Sequence, residues 1–172
     1  MEVNVRYRKD DGDLLDDPTI YRHLVGSLIY LTTTCPDISY AVHQVSQFMS
    51  SPRHLHIAVV RGIIRYLRGS PTRGLFFPTG SSLQLIGYSD TDWAGCPDTR
   101  CSTTGWCMFL GDALISWRCK KQDRVSKSST EAEYRAMSIA CSEIVWLRDL
   151  LAELEFPQTT STPLHADNTS AI

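Results

Sequence analysis

One long amphipathic segment, residues 129–155, dominates the C-terminal half of the chain. Its apolar residues recur every three or four positions, as on a helix that packs against a sheet. They are Ala136, Met137, Ala140, Ile144, Leu147 and Leu151. One turn before this stripe lies Glu133, whereas Glu131 is rotated from it by about 200° around the helix axis. We therefore expect Glu133 to point at the sheet, and Glu131 to face solvent or to serve the helix N-terminus.

A carboxylate on a buried stripe needs a partner, because an unpaired buried charge is costly. A metal ion is one such partner; the alternative is that Glu133 lies at the rim of the stripe and reaches water. Two further acidic segments bear on this choice. Asp90 and Asp92 follow the apolar run 83–88, and Asp167 ends a short predicted strand over residues 164–167. Acids from two strand ends and a helix can meet at one edge of a sheet, where they can bind divalent ions that clamp a phosphate.

Two of these aspartates, Asp92 and Asp167, also have a structural interpretation. Asp90 and Asp92 are two residues apart and share one face of an extended strand, so periodicity cannot separate them. Asp92 could instead cap the turn that follows it. Asp167 precedes Asn-Thr-Ser and could be an ordinary helix N-cap. His165 would project from the same face as Asp167, and a single histidine on a short strand favours a structural role.

The other elements of this half are predicted strands. Residues 83–88 form one strand, and residues 106–110 and 113–117 form a hairpin across Gly111-Asp112, compatible with a type II′ turn. Both hairpin strands are apolar on both faces, which predicts a position near the middle of a covered sheet. Gly, Pro, Ser and Thr are frequent between residues 69 and 82, which indicates a domain boundary.

The N-terminal half is predicted to be helical. Residues 1–17 are polar and form a loose lead-in. Three helices follow within residues 18–76: the first begins at Asp17-Pro18, the second at Pro36, and the third ends at Gly69 as a C′ residue. The predicted apolar stripe of the third helix comprises Leu55, Ala58, Val59, Ile63, Tyr66 and Leu67.

Charge and cysteine content narrow the function classes. The formal net charge is −2, so no global basic field indicates nucleic-acid binding. Positive charge is local: one cluster spans residues 61–73, and a second lies between the hairpin and the helix that carries Glu133. The second cluster comprises Arg118, Lys120, Lys121, Arg124 and Lys127. It is either a solvated face or a phosphate contact beside the candidate site.

Six cysteines form no C-x-x-C pair and have no histidine at zinc-ligand spacing, so we expect reduced thiols without metal. The N-terminus shows no secretory signal, and no apolar run reaches the ~20 residues of a membrane span. The sequence therefore predicts a cytoplasmic or nuclear location and no membrane partner.

Several segments resemble, in order, the C-terminal part of the polyprotein of copia-type LTR retrotransposons, especially the plant ones. Before the boundary these are residues 21–31, 36–42 and 64–69; after it they are residues 90–95, 102–106, 115–117, 120–122, 128–136 and 167–172. The resemblance covers nearly the whole chain. It implies that residues 18–76 are the thumb-like end of a reverse transcriptase and that residues 83–172 are a ribonuclease H-like domain. The implied fold is α/β (α+β), a mixed sheet with a long packed helix, preceded by a three-helix segment.

The resemblance also implies an activity. Asp90, Glu133 and Asp167 match the family's metal-binding carboxylates, Asp90 bridges the ions, and Asp92 is a neighbour that supports these ligands. With Mg²⁺ or Mn²⁺ such a site hydrolyses the RNA strand of RNA–DNA hybrids. Family members generally continue past Asp167 and add a fourth acidic residue. We therefore expect a C-terminally truncated domain with weak or no hydrolysis.

Two alternatives to hydrolysis of hybrids remain open. The chain could be a non-catalytic, degenerate or host-adopted fragment that binds nucleic acid, the rest of the polyprotein or a host protein. Less favoured is another nuclease or an integrase that uses the same sheet, because the helical segments of residues 21–69 argue against it.

Overall fold

The computed structural model describes residues 7–167. They divide into two compact units, with the boundary between Gly74 and Leu75. The first unit is helical and the second contains the sheet. No helix within the described residues combines the length and the apolar character that a membrane span requires.

The first unit consists of α1 (Pro18–Leu31), a short 3-10 helix (Pro36–Ile38), α2 (Ser39–Ser46) and α3 (His54–Gly69). The α1 helix begins as the sequence predicts, because the Asp17 carboxylate accepts a hydrogen bond of 2.8 Å from the Thr19 N–H. Its buried face includes Tyr21, whose hydroxyl donates to the Val45 carbonyl oxygen at 2.6 Å. This bond joins α1 to α2 inside the apolar core.

The predicted stripe of α3 is partly wrong. Leu55 and Tyr66 are 41% and 42% exposed, and Ala58 is exposed as well. The face that packs into the core instead comprises His56, Ile57, Val59, Val60 and Ile63. The polar residue in this core is His56. Its ring stacks on Phe48, with ring centroids 3.9 Å apart.

Both ring nitrogens of His56 also have backbone partners. Nδ1 accepts from the Arg53 N–H at 3.1 Å, and Nε2 lies 3.0 Å from the Arg8 carbonyl oxygen. The end of α3 differs from the prediction too. Gly69 belongs to the helix, and the cap is Ser70 with φ −135°, so the chain leaves α3 without the left-handed residue that a C′ glycine supplies.

The predicted loose lead-in is held in place where the structure describes it. The Arg53 guanidinium donates to the carbonyl oxygens of Lys9 and Gly12, at 2.8 and 2.5 Å, and forms an ion pair of 2.8 Å with Asp10. Leu14 also forms an isolated antiparallel bridge with Arg53. Residues 1–6 of the predicted segment lie outside the described residues.

The second unit contains a four-stranded mixed sheet and one long helix. Its elements are β1 (Leu85–Asp92), β2 (Thr103–Leu110), β3 (Ala113–Lys121), α4 (Ser129–Glu153) and β4 (Leu164–His165), and the strand order is β3-β2-β1-β4. The β1–β2 and β2–β3 pairs are antiparallel, and β4 pairs with β1 in parallel. The predicted mixed α/β class is confirmed, and the architecture is compatible with a ribonuclease H-like fold.

The hairpin turns at the predicted residues, and Gly111 has the positive φ, +58°, that the first position of a type II′ turn requires. Its predicted central position is wrong for β3, which lies at one edge of the described sheet, whereas β2 is interior. The reason is that β1 pairs with β2 along one side and with β4 along the other, so β4 is not placed beside the hairpin. In the described sheet, β3 therefore pairs only with β2.

The α4 helix packs on the sheet through the predicted stripe. Ala136, Ala140, Ile144, Leu147 and Leu151 are buried, whereas Met137, the other predicted member of the stripe, is only half-buried. A close approach at Gly87 of β1 permits this packing: a Cβ there would lie 2.9 Å from Met108 Sδ and 3.0 Å from Ile144 Cδ1. The helix therefore fixes the position of its first turn, and with it Glu133, against β1.

Candidate metal centre

Three carboxylates from three different elements converge in the second unit. One oxygen each from Asp90 on β1, Glu133 on α4 and Asp167 just after β4 lie within 4.8 Å of one another. Parallel pairing brings this about, because β1 and β4 run in the same direction and their C-terminal ends lie at the same edge of the sheet. The structure thus brings together the three residues that the sequence singles out.

The three groups differ in exposure. Glu133 is only 4% exposed, whereas Asp90 and Asp167 are exposed. Glu133 therefore forms the floor of the cluster, and the two aspartates form its rim. The alternative that Glu133 reaches water from the edge of the helix stripe does not fit this burial.

The Glu133 carboxylate has an unsatisfied atom. Its Oε2 is buried and has no hydrogen-bond partner in the described structure. Burial raises the pKa of Glu133 above its ordinary value, and the nearby Asp167 and Asp90 carboxylates raise this pKa further. A cation held among the three groups would remove both penalties, because it supplies a partner for Oε2 and offsets the mutual repulsion.

The chemistry of this donor set fits Mg²⁺ or Mn²⁺. All three donors are hard carboxylate oxygens, which Mg²⁺ prefers, and Mg²⁺ is usually bound through few carboxylates while it keeps several waters. The described cysteines are free thiols, and none belongs to this cluster. The residues present therefore suit a divalent magnesium-type site better than a zinc site.

Asp92 and Glu131 lie outside the cluster and stabilise neighbouring backbone. The Asp92 carboxylate accepts a hydrogen bond from the Thr103 N–H on β2, and it lies directly against Gly95. A supporting role of Asp92 toward the ligands stays a prediction. Glu131 serves the N-terminus of α4 as expected: it accepts from the Lys127 N–H at 2.7 Å and pairs with Arg135 at 2.7 Å.

His165 stacks on Tyr88 with ring centroids 5.0 Å apart, a contact that suits the structural role expected for it. The alternative that Asp167 caps a helix concerns residues 168–172, which lie outside the described residues.

Comparison with known proteins gives the family. The chain is 48% identical to the Retrovirus-related Pol polyprotein from transposon RE1 of Arabidopsis thaliana over 160 residues, which cover 93% of this chain and 11% of that protein. It is 42% identical to the Retrovirus-related Pol polyprotein from transposon TNT 1-94 of Nicotiana tabacum over 165 residues, 95% of this chain and 12% of that protein. The chain belongs to the copia-type retrotransposon Pol polyproteins. The resemblance to this polyprotein family, which the sequence segments indicate, is thereby confirmed.

The chain spans only 11–12% of the length of these polyprotein relatives. It is also 44% identical over 128 residues to the Secreted RxLR effector protein 161 of Plasmopara viticola, with 74% of this chain and 90% of that protein covered. No protein-family profile and no solved structure matches the chain.

The basic cluster of this polyprotein segment follows the edge strand β3 and the loop into α4. Arg118 and Lys120 are exposed on β3, whereas the Lys121 amino group donates to Cys96 Sγ at 2.9 Å. Arg124 and Lys127 precede α4 and contact it through backbone atoms: the Arg124 carbonyl oxygen accepts from Arg135 at 3.2 Å. Contact of the cluster with phosphates stays a prediction.

The sequence reasoning missed the residues that hold the loop before Asp167. From α4, the Arg148 guanidinium donates to the carbonyl oxygens of Gln158 and Thr160, at 2.6 and 2.7 Å, and to Thr162 Oγ1 at 2.8 Å. The Gln158 side chain in turn bonds the backbone of Leu83 and Leu85, at 2.8 and 3.0 Å. Polar residues in loops carry no periodic signal, so the sequence offers no pattern from which these contacts of Arg148 could be predicted.

A second residue that the sequence reasoning missed is Gln122. It is 7% exposed and bonds both α4 and β2, next to two of the three carboxylates. Its position directly after β3, among the five residues of the basic cluster, made it resemble a polar surface residue.

Proposed function

We propose that the second unit is the ribonuclease H module of a copia-type polyprotein and that it hydrolyses the RNA strand of RNA–DNA hybrids with Mg²⁺ or Mn²⁺. The observation that carries this proposal is the convergence of Asp90, Glu133 and Asp167 around an unpartnered buried carboxylate oxygen. The ribonuclease H-like segments around these residues and the polyprotein relatives support it.

Each carboxylate has a distinct part in this proposal. Glu133 would bind an ion from the buried floor, where its position is fixed by the packing of α4. Asp90 and Asp167 would bind from the exposed rim, which leaves the outer side of the site open to a phosphate. When bound, a pair of ions would lower the pKa of the attacking water and stabilise the leaving 3′ oxygen.

Substrate recognition would use the basic cluster beside the site. Exposed Arg118 and Lys120, with Arg124 and Lys127 before α4, would contact backbone phosphates. Selection of the RNA strand would come from contacts to 2′-hydroxyl groups in the minor groove of the hybrid. Binding should therefore weaken steeply with salt.

The charge of the site limits the rate. The three carboxylates of the cluster carry at most three negative charges, whereas two divalent ions carry four positive ones. We expect the second ion to bind weakly and hydrolysis by the 172-residue chain to be slow. Lost stabilisation of transition-state charge lowers the rate about tenfold for each ~1.4 kcal/mol.

The test is hydrolysis of a hybrid whose RNA strand is labelled, with Mg²⁺ or Mn²⁺, by the full chain and by Asp90→Asn. Single-stranded RNA and duplex DNA of the same sequence are the substrate controls, and Glu153→Gln on the exposed side of α4 matches the change in charge. Of the three proteins, we expect only the wild type and Glu153→Gln to cleave the hybrid. This cleavage should be slow and should depend on the metal ion. Cleavage that persists in Asp90→Asn would contradict the proposal.

One comparison favours a second candidate, a non-catalytic protein that acts by binding. The chain covers 90% of the length of the Secreted RxLR effector protein 161. A protein made up largely of a sequence similar to this one is thus not named as a polyprotein. If the chain binds neither Mg²⁺ nor Mn²⁺ and cleaves no hybrid, yet binds a hybrid or a protein equally well in EDTA, this second candidate is favoured.

A further inference from the structure

A buried glutamine, Gln122, lies next to the candidate metal centre, and both hydrogens of its side-chain amide are bonded there. Gln122 Nε2 donates to the Ala132 carbonyl oxygen at 3.0 Å and to Thr104 Oγ1 at 3.0 Å. Its Oε1 accepts from the Ser126 hydroxyl at 3.1 Å, and its backbone N–H donates to the Ser102 carbonyl oxygen at 2.8 Å. Both amide hydrogens are thus engaged, and the amide orientation is determined by its neighbours.

The partners of this amide flank two of the three carboxylates. Ala132 directly precedes Glu133 in the first turn of α4, so the Cα atoms of the two residues are about 3.8 Å apart. Thr104 on β2 is the register partner of Thr91, and Thr91 directly follows Asp90 on β1. Gln122 Nε2 also approaches Thr91 Oγ1, at 3.5 Å. One side chain therefore links the backbone beside Glu133 to the strand pair beside Asp90.

This link matters because the two carboxylates repel each other. In the metal-free protein, the negative charges of Asp90 and Glu133 favour separation of α4 from β1. A buried amide that bonds α4 at Ala132 and the β1–β2 pair at Thr104 opposes that separation. It does so without adding charge, which a lysine or an arginine in the same place would do.

We propose that Gln122 is a positioning residue that holds the first turn of α4 at ion-binding distance from β1, and so sets the affinity of the carboxylate cluster for a divalent ion. This inference rests on the proposed metal site. It goes beyond that site because Gln122 itself donates no ligand: its effect is transmitted through Ala132 and Thr104. Residues that orient metal ligands typically change ion affinity by about 10–100-fold when they are mutated.

The experiment measures the dissociation constant of Mn²⁺ from the full chain by the electron paramagnetic resonance signal of the free ion. The variant is Gln122→Met, which keeps the shape of the side chain and removes its amide. The matched control is Ser116→Ala, because the Ser116 hydroxyl also ties β3 to α4, through Glu143 at 2.8 Å, ten residues beyond Glu133 along the helix. Asp90→Asn reports on the site itself, and all measurements are made at a temperature where tryptophan fluorescence shows folded protein.

We expect Gln122→Met to weaken Mn²⁺ binding about tenfold or more, and Ser116→Ala to change it less than about twofold. Amide hydrogen exchange without metal should accelerate in the first turn of α4 for Gln122→Met, and near residue 143 for Ser116→Ala. If Gln122→Met does not fold, Ser126→Ala decides, since it removes only the hydroxyl that orients the amide. It should weaken Mn²⁺ binding in the same direction.

The outcomes separate the two proposals. Wild-type affinity in Gln122→Met, or in Ser126→Ala where the first variant is unfolded, would overturn the role of Gln122 while Asp90→Asn still loses the ion. Equal losses in Gln122→Met and Ser116→Ala would overturn it as well, because any weakened tether would then suffice. If the wild type binds no Mn²⁺, or Asp90→Asn binds it normally, the metal site fails and the proposed function fails with it.

Discussion

Replacing Glu133 by Gln should stabilise the metal-free protein and abolish its response to metal. The substitution keeps the size of the side chain and removes the charge from a group that is 4% exposed and has an unpartnered buried oxygen. Leaving a buried polar group unsatisfied costs about 1–3 kcal/mol, and more for a charged one. An unpaired neutral amide keeps part of this cost, so we expect a net gain of about 1–2 kcal/mol in the free energy of unfolding.

The gain must depend on pH in a defined direction. The pKa of Glu133 is raised above its ordinary value of 4.5 by burial and by the Asp167 and Asp90 carboxylates, so the folded state holds the proton more tightly than the unfolded state. Below pH 4.5 the wild type has no penalty from this group. Its stability falls as pH rises through the raised pKa, and above that pKa the penalty is complete. The advantage of Glu133→Gln should therefore be full at high pH and vanish toward about pH 4.

The assay is urea unfolding followed by tryptophan fluorescence in EDTA at several pH values. All four tryptophans, Trp93, Trp106, Trp117 and Trp146, belong to the second unit, so the signal reports on the unit that holds the site. The control is Glu153→Gln, which removes the same charge from an exposed position of α4. In thermal unfolding, each kcal/mol should raise the Tm by about 4–8 °C for a domain of this size.

Metal then reverses the order of stability. Mg²⁺ at about 100 times its dissociation constant should stabilise the wild type by about 2.7 kcal/mol and leave Glu133→Gln unchanged. A variant that is destabilised equally at about pH 8 and about pH 4 would refute the reasoning, because it would show that the wild-type carboxylate is satisfied in the metal-free protein.

Three further predictions concern packing and positioning. Gly87→Ala should lower the free energy of unfolding of the second unit by about 1–3 kcal/mol, measured by tryptophan fluorescence, because the added methyl group meets the buried Met108 sulfur at 2.9 Å. Arg148→Met should weaken Mn²⁺ binding about 10–100-fold in the resonance assay, because the loop before Asp167 loses three hydrogen bonds; unchanged affinity would show that β4 alone holds this loop. His56→Leu should destabilise the first unit by about 1–3 kcal/mol in far-UV circular dichroism, and leave the tryptophan transition of the second unit in place.

Sequence periodicity predicted the face of α4 correctly because that face depends on local geometry. Residues three and four apart lie on one side of a helix whatever it packs against, so the buried stripe by itself identifies Glu133 and excludes Glu131. Caps and turns are local in the same way, as Asp17 at the start of α1 and Gly111 in the hairpin show. The same reasoning failed on α3, where stacking on Phe48 places the polar His56 in the core and turns Leu55 outward.

The sequence alone therefore determined where the helices lie along the chain, where the hairpin turns, which family the chain belongs to and which glutamate faces the sheet. Only the tertiary structure decided which partners these faces meet. Asp90 and Asp92 are equivalent in strand periodicity, but β4 brings Asp167 to Asp90, whereas the Asp92 carboxylate bonds the Thr103 backbone. The edge position of β3, the hydrogen bonds of Arg148 to the loop before β4 and those of the buried Gln122 amide likewise depend on how separate elements pack together. Periodicity predicts which side of its own helix or strand a side chain lies on. The residue that it contacts on that side depends on how the elements pack together.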